Sequence, residues 1–374
     1  MALVSKLKGA ISPSLKTEIR IFLNRSLVLV RAFYFWRWQH KQFVTKTPSI
    51  AVRYLGRYIN DVPVLLGIDF NNQDAQSVKS ALWLTDFPLP RAYPIPHVLS
   101  TVVPLRRRLE EILATYASSL RRAINKQRPH YRFEVIRDAN QIVAINETML
   151  MPYAKARHES FASHFDSNAL IQMALSEHAR LYALYCDDEL VGCHFTNFYE
   201  RHGKRYWHVN RLGYPQHIFS DVKRWGDINS INLHMGLETA VAENFDFCDY
   251  GMSLAKPGAG LIEWKRRRKG FLDLDIGAQS IQYYLSLPKK GLSQFFWDSP
   301  LFSIEKGKVT LHLGLPADKT DEEILNKYHE MGYGGLYKVY LNCGAEPSES
   351  VVEGIRALYQ DELHPPMIIP YLVK

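Results

Sequence analysis

From Leu181 to Cys186, and again from Leu190 to Tyr199, the chain is rich in apolar and aromatic residues, and the polar triplet Asp187-Asp188-Glu189 between the two runs predicts a β-hairpin. A second polar break, Arg201-His202-Gly203-Lys204, introduces a third strand over Arg205 to Leu212. The spacing then changes. Leu233, Leu237, Ala240 and Val241 form one stripe and predict a helix from about Ile228 to Glu243, leading into a strand over Phe245 to Tyr250. Upstream, Leu109, Leu113, Tyr116, Leu120 and Ile124 keep helical spacing and predict one helix over Arg106 to Arg128. Its C-terminal end carries Arg121, Arg122, Lys126 and Arg128.

The flanks read differently. Ile21-Phe22-Leu23, Leu27-Val28-Leu29-Val30 and Phe33-Tyr34-Phe35-Trp36 are apolar, but Arg20, Arg25, Arg31 and Arg37 interrupt them. A spanning helix needs about 20 mostly apolar residues, so residues 1–47 are expected to form a basic amphipathic helix ended by Thr47-Pro48. That helix packs on its own protein, with peripheral membrane contact as the alternative and no transmembrane segment. Ile50 to Leu55 and Val62 to Phe70 read as strands. The prolines from Phe87 to Pro96 mark a linker or irregular crossover. The tail has a β-α-β-α rhythm: Lys308 to Leu313, a helix capped at Thr320, Gly335 to Leu341, and a helix opened near Ser348. The expected division is a helix over 1–47, a degenerate first lobe over 48–100, a catalytic lobe over 101–290 and a small α/β module over 291–374.

Composition narrows the partners. The net charge of +8 over 374 residues favours a polyanion such as a nucleotide cofactor, RNA or an acidic membrane, against the plainer reading of a solvated basic surface. Cys186, Cys193, Cys248 and Cys343 have no metal-ligand or CxxC spacing, so neither metal nor disulfides are expected and the site is read as metal-free. Cys193 and Cys248 sit in apolar runs as inert thiols. A cytoplasmic location follows from these expectations.

The chemistry should lie around the predicted strand-helix-strand unit. Lys223-Arg224-Trp225-Gly226-Asp227 reads as a loop before the helix, where free N–H groups, Gly226 and the cations Lys223 and Arg224 would receive phosphates, with Asn229 and Ser230 in the first turn. The plainer reading is a helix N-capped by Asp227. On the preceding strand, alternation puts Tyr206, His208 and Asn210 on one face and Trp207 and Arg211 on the other, one face lining the acceptor site. Asp249, Glu263 and His208 are the groups in this region that could serve as a base. A structural carboxylate and a hydrogen-bonded core histidine are the competing readings of Asp249 and His208.

The stretch Phe245-Asp246-Phe247-Cys248-Asp249-Tyr250-Gly251, followed by Trp264-Lys265 and a basic run to Lys269-Gly270-Phe271, resembles the C-terminal half of Fem-type peptidyltransferases and of CelD-like GNAT acetyltransferases. The basic helix from Val103 to Lys126 is similar to the family's entry helix, and the resemblance covers about residues 98 to 290. It implies an α/β (α+β) fold, a GNAT-like mixed sheet flanked by helices, with tandem GNAT-like lobes and the C-terminal βαβα module. It also implies that Lys265 binds donor phosphates or polarises a carbonyl, with Trp264 beside it on the substrate. The family's paired-glycine phosphate signature is absent, since Gly226 stands alone, and the tail beyond about Leu301 has no counterpart.

The expected activity is transfer of an acyl group from acyl-CoA to an amine by direct attack, because no G-x-S-x-G nucleophile elbow occurs. Two alternatives stand beside it. Aminoacyl transfer from aminoacyl-tRNA would use the basic entry helix, and an inactive GNAT-like scaffold would bind RNA or protein through that surface.

Overall fold

Strands dominate wherever apolar residues alternate. The computed structural model describes residues 38–45, 51–57, 70–71, 81–85, 92–96, 98–105, 108–158, 166–273, 281–286, 291–360, 362 and 364–373, in two units. Residues 102–251 with 267–269 form one, and the remaining described residues form the other.

In the first of these, residues 247–251 of strand Phe247–Leu254 and strands Lys204–Gly213, Glu189–Arg201, Ala179–Cys186 and Tyr131–Ile136 neighbour one another in that order. The hairpins lie where the polar breaks predict them: Ala179–Cys186 and Glu189–Arg201 are antiparallel, as are Glu189–Arg201 and Lys204–Gly213. Lys204–Gly213 then pairs in parallel with Phe247–Leu254. A parallel neighbour needs a crossover, and helix Val222–Ala242 supplies it.

One face of this sheet is sealed over its Ala179–Cys186 side. Helices Ala139–Ile145, Met151–His158 and Ser167–Ala174, with a π-turn over Asn146–Leu150, lie in this region, and Ile142, Ile145, Met149, Leu150 and Leu170 pack with Leu181, Ala183, Cys193 and Phe195. On the opposite face, Trp207 is fully buried among Phe198, Phe245 and Tyr182. Below helix Val222–Ala242, His194 Nδ1 meets Asn232 Oδ1 at 3.0 Å, Asn232 reaches Tyr214, and the Tyr214 hydroxyl donates to Asn229 at 2.9 Å.

Two helical expectations are corrected. The helix expected over Arg106 to Arg128 is two helices, Leu109–Ala114 and Ser118–Gln127. Thr115 closes the first, its hydroxyl bonding the Ile112 carbonyl at 2.6 Å, and Tyr116 turns inward to be buried. No glycine or proline marks the break. The crossover helix starts at Val222, six residues before Ile228, with Asp221 as its cap; its carboxylate accepts the Lys223 and Arg224 amides, both at 3.0 Å. The expected loop Lys223–Asp227 is therefore helical, and Asp227 is not the N-cap.

The other unit holds a six-stranded sheet, from Phe70–Asn71 through Trp38–Thr45, Ala51–Arg57, Ala81–Thr85 and Ile281–Ser286 to Tyr93–Pro96. The helix expected over residues 1–47 lies outside the described residues as far as 37, and 38–45, assigned to it, is a strand paired with 51–57. The strand expected over Val62 to Phe70 lies outside the described residues except at Phe70. Within the proline-rich stretch, Tyr93–Pro96 is an edge strand, where missing N–H groups are tolerated. A four-stranded sheet, Leu301–Glu305, Lys308–Leu315, Lys338–Cys343 and Met367–Leu372, carries helices Asp321–Tyr328 and Glu349–Ala357. The Thr320 capping box and the Ser348 cap form as their sequences predict.

Two stability measurements test this packing. Burial pushes the His194 imidazole down to about 4, against a weaker upward pull from Asn232, and burial also pushes His312 of the other unit down to about 3. Below the unfolded value of 6.5 the unfolded chain takes up protons the native one refuses, so stability falls as pH drops below it. Each group should cost roughly 2 kcal/mol between about pH 6.5 and 5. Urea titrations across that window should show the loss, and His194→Gln should flatten the slope.

Gly226 lies inside the crossover helix, and a Cβ there would meet nothing within 4 Å. Gly226→Ala is expected to stabilise by about 0.5–1 kcal/mol, read as a raised unfolding midpoint, because glycine weakens helix interiors.

Candidate active site

The parallel register sets the site. Tyr206 pairs with Phe247, Trp207 with Cys248 and His208 with Asp249, so the imidazole and the carboxylate lie side by side on one face. Asp249 is buried at 1% exposure, whereas the His208 side chain keeps 25%. His208 Nδ1 lies 2.7 Å from Asp249 Oδ2. The bonded carboxylate takes the Nδ1 proton position, which leaves the Nε2 lone pair on the other edge of the ring.

The Asp249 carboxylate has two further donors. Gly251 N–H reaches Oδ1 at 2.8 Å, and the Tyr199 hydroxyl reaches Oδ2 at 3.1 Å. The strand expected to end at Tyr250 runs on to Leu254, and within it Gly251 has φ 74°, a conformation that favours glycine and that brings its amide onto the carboxylate two residues back. The arrangement sets a buried, hydrogen-bonded carboxylate against an imidazole that stays partly exposed.

Tyr199 and the neighbouring Asn197 were not singled out from the sequence. They are legible in principle, because a two-residue turn at His202-Gly203 sets Tyr199 opposite Tyr206 and Asn197 opposite His208. Tyr199 stacks on Tyr206, centroids 4.8 Å apart at 8°, and Tyr206 stacks on Phe247 at 4.9 Å and 16°. Tyr206 itself is buried, so it supports the site from within the stack.

A bulge corrects one facing assignment. The register against Glu189–Arg201 shifts between Val209 and Arg211, so Val209 pairs with Thr196 but Arg211 pairs with Phe195. One extra residue reverses the alternation, and Arg211 joins the face of His208 instead of that of Trp207. Asn210, at the bulge, donates from Nδ2 to Asn197 Oδ1 at 2.8 Å. His208, Asn210, Asn197, Tyr199 and Arg211 thus share a half-buried polar surface beyond the helix-sealed half.

The residues expected at the donor phosphates are not assembled as a loop. The Lys223 and Arg224 amides are taken by Asp221, and the Arg224 guanidinium bonds Glu189 at 2.7 Å. Asn229 accepts from Tyr214, and Ser230 bonds the Gly226 carbonyl at 2.9 Å while accepting from Arg268 at 3.0 Å. In the other unit, Trp264 and Lys265 belong to helix Gly260–Arg266. Lys265 is buried instead of solvated, its Nζ donating to the Met252 carbonyl at 3.2 Å, and Glu263 is engaged by Arg266. Burial pushes the Cys193 and Cys248 thiols up, which keeps both inert. Among the described residues no group of three or more His, Cys, Asp and Glu is placed to hold a metal ion, and no helix is long and apolar enough to cross a membrane.

Comparison with known proteins places this site in context. No curated protein matches the chain in sequence. Similar solved structures include FemX, with 10% identity, 72% of this chain and 92% of that one covered, and a TM-score of 0.37. The C-terminal domain of a putative lysylphosphatidylglycerol synthetase from Agrobacterium fabrum gives 10% identity, the same coverages and a TM-score of 0.32. A probable N-acyltransferase from Enterococcus faecalis gives 9% identity, coverages of 71% and 61%, and a TM-score of 0.27. Residues 114–222, which include the hairpins, the His208 strand and the start of the crossover helix, match the family described as an acetyltransferase (GNAT) domain, so this stretch of the chain is GNAT-like.

Proposed function

We propose that the chain is an N-acyltransferase in which His208 removes the proton of an amine acceptor as it attacks the acyl carbonyl, with Asp249 holding the ring. The observation that carries this reading is the 2.7 Å contact between Nδ1 and a buried carboxylate on a histidine that stays partly open to solvent. The amine nitrogen bonds to the carbonyl carbon, its proton passes to Nε2, and the tetrahedral adduct expels the donor's thiolate, which takes the proton from the imidazolium. No acyl-enzyme forms. Asn210 and Arg211 share the face of His208 and are assigned to the acceptor, with Tyr206 supporting them from below.

Acyl-CoA is the donor we favour, on the family match over residues 114–222. Lys223 stays exposed for its phosphates, although a phosphate at the first turn competes there with the Asp221 carboxylate. Aminoacyl-tRNA is the second reading, and the exposed Arg122 and Lys126 of helix Ser118–Gln127 support it.

His208→Gln should lower kcat/KM by about 10²–10⁴-fold, the usual cost of losing a general base. Asp249→Asn should also impair transfer while the protein remains folded. Full activity of His208→Gln combined with a dead Asp249→Asn would hand the base role to Asp249 and overturn the assignment. For the donor, binding of acetyl-CoA and of charged tRNA is compared between about 50 and 200 mM salt. A shallow slope for acetyl-CoA, unmoved by Arg121→Glu and Arg122→Glu, is expected. A steep tRNA slope near −4 to −5, roughly six phosphate contacts, lost on those substitutions and accompanied by aminoacyl transfer, would select the second reading.

A further inference from the structure

Asp249 Oδ2 is shared. It receives His208 Nδ1 at 2.7 Å and the Tyr199 hydroxyl at 3.1 Å, while Oδ1 is occupied by Gly251 N–H. Two donors on one oxygen weaken each other, because each draws on the same electron density. Tyr199 therefore restrains how strongly the carboxylate can hold a protonated imidazole.

Its placement is rigid. Tyr199 lies on the strand next to that of His208, clamped by the nearly parallel Tyr206 ring, and Tyr206 is fixed in turn by Phe247 and by Arg201. The Arg201 guanidinium lies 4.8 Å from the Tyr206 ring centroid and donates to its hydroxyl at 3.0 Å. Burial, reinforced by the Asp249 charge, pushes the Tyr199 hydroxyl up, so it keeps its proton and acts only as a donor to that carboxylate. Other charged groups facing this side from the packed strands are Arg201, Arg211 and Lys204, the last paired with Asp246 at 3.1 Å.

We propose that Tyr199 is the third member of the site, a positioning residue that pins the Asp249 carboxylate and keeps the His208 imidazole available as a free base with Nε2 turned away from it. This rests on His208 being the base, and it adds a residue outside the sequence-based candidates.

The test needs neither donor nor acceptor. Diethyl pyrocarbonate carbethoxylates the unprotonated imidazole, releasing ethanol and carbon dioxide, and peptide mass spectrometry resolves the rate at His208 from about pH 5 to 8. Removing one neutral hydrogen bond, about 0.5–1.5 kcal/mol, corresponds to a displacement of about 0.5–1 pH unit. Tyr199→Phe should move the midpoint of His208 modification upward by that amount and slow the reaction about 3–10-fold on the acid side of the midpoint. Tyr206→Phe, which retains the stack, should leave the midpoint unchanged. If Tyr199→Phe does not fold, Tyr206→Leu loosens the clamp and should shift the midpoint the same way by less. An unmoved midpoint in the folded Tyr199→Phe protein, or in Tyr206→Leu where that serves instead, overturns the proposal. A shifted midpoint in a protein that transfers no acyl group would leave the Tyr199 role standing and sink the transferase reading. Activity lost in His208→Gln but an unmoved Tyr199→Phe midpoint would do the reverse.

Discussion

A carboxylate with 1% of its surface exposed is tolerable only if its oxygens are bonded, and Asp249 meets that condition with donors from three places in the chain. Gly251 comes from within the same strand, two residues on, His208 from the parallel neighbour, and Tyr199 from the strand beyond. Leaving such an anion unbonded would cost several kcal/mol, so its burial depends on all three segments keeping their register. The same register decides which edge of the His208 ring is left over. The local register and the orientation of the imidazole are therefore both tied to one buried carboxylate.

The histidines of this domain show what surroundings do to one side chain. His194 lies under the crossover helix, fully buried, with Asn232 as its partner and no carboxylate, and burial keeps it neutral as a packing element. His208, one strand over on the opposite face, has a carboxylate behind it and solvent in front. The difference arises from alternation. His194 pairs with Leu212 and His208 with Asn197, and the bulge between Val209 and Arg211 separates the two stretches. That bulge also brings Arg211 to the polar face, giving the surface around His208 a guanidinium that strict alternation would have turned inward.

The start of the crossover helix follows a similar logic of occupied groups. Its first amides are a ready anion site in the abstract, but Asp221 already fills them, and Asn229 and Ser230 are spent on holding the helix to Tyr214 and Arg268. A phosphate arriving there would exchange with a carboxylate instead of entering an empty cradle. The proposed acyl-CoA donor accordingly rests on the family match, and less on the cluster at this terminus.

Local signals were legible in the residues themselves. Polar breaks placed the hairpins and the Thr320 and Ser348 caps placed two helix starts, whereas the strand carrying Asp249, expected to end at Tyr250, runs on to Leu254. His208 and Asp249 were both candidates from the sequence, as separate residues. Their pairing, the donation from Tyr199 and the facing of Arg211 depend on strand register and on a one-residue bulge, which side-chain spacing does not encode. Nor could spacing separate Asp221 from Asp227 as the helix cap, because Lys223 to Asp227 suits a loop or a first turn equally well. Alternation and capping are properties of a few consecutive residues and survive in the one-dimensional chain. Which carboxylate is buried, and which imidazole nitrogen it holds, is decided only when strands remote in sequence pack side by side and exclude water.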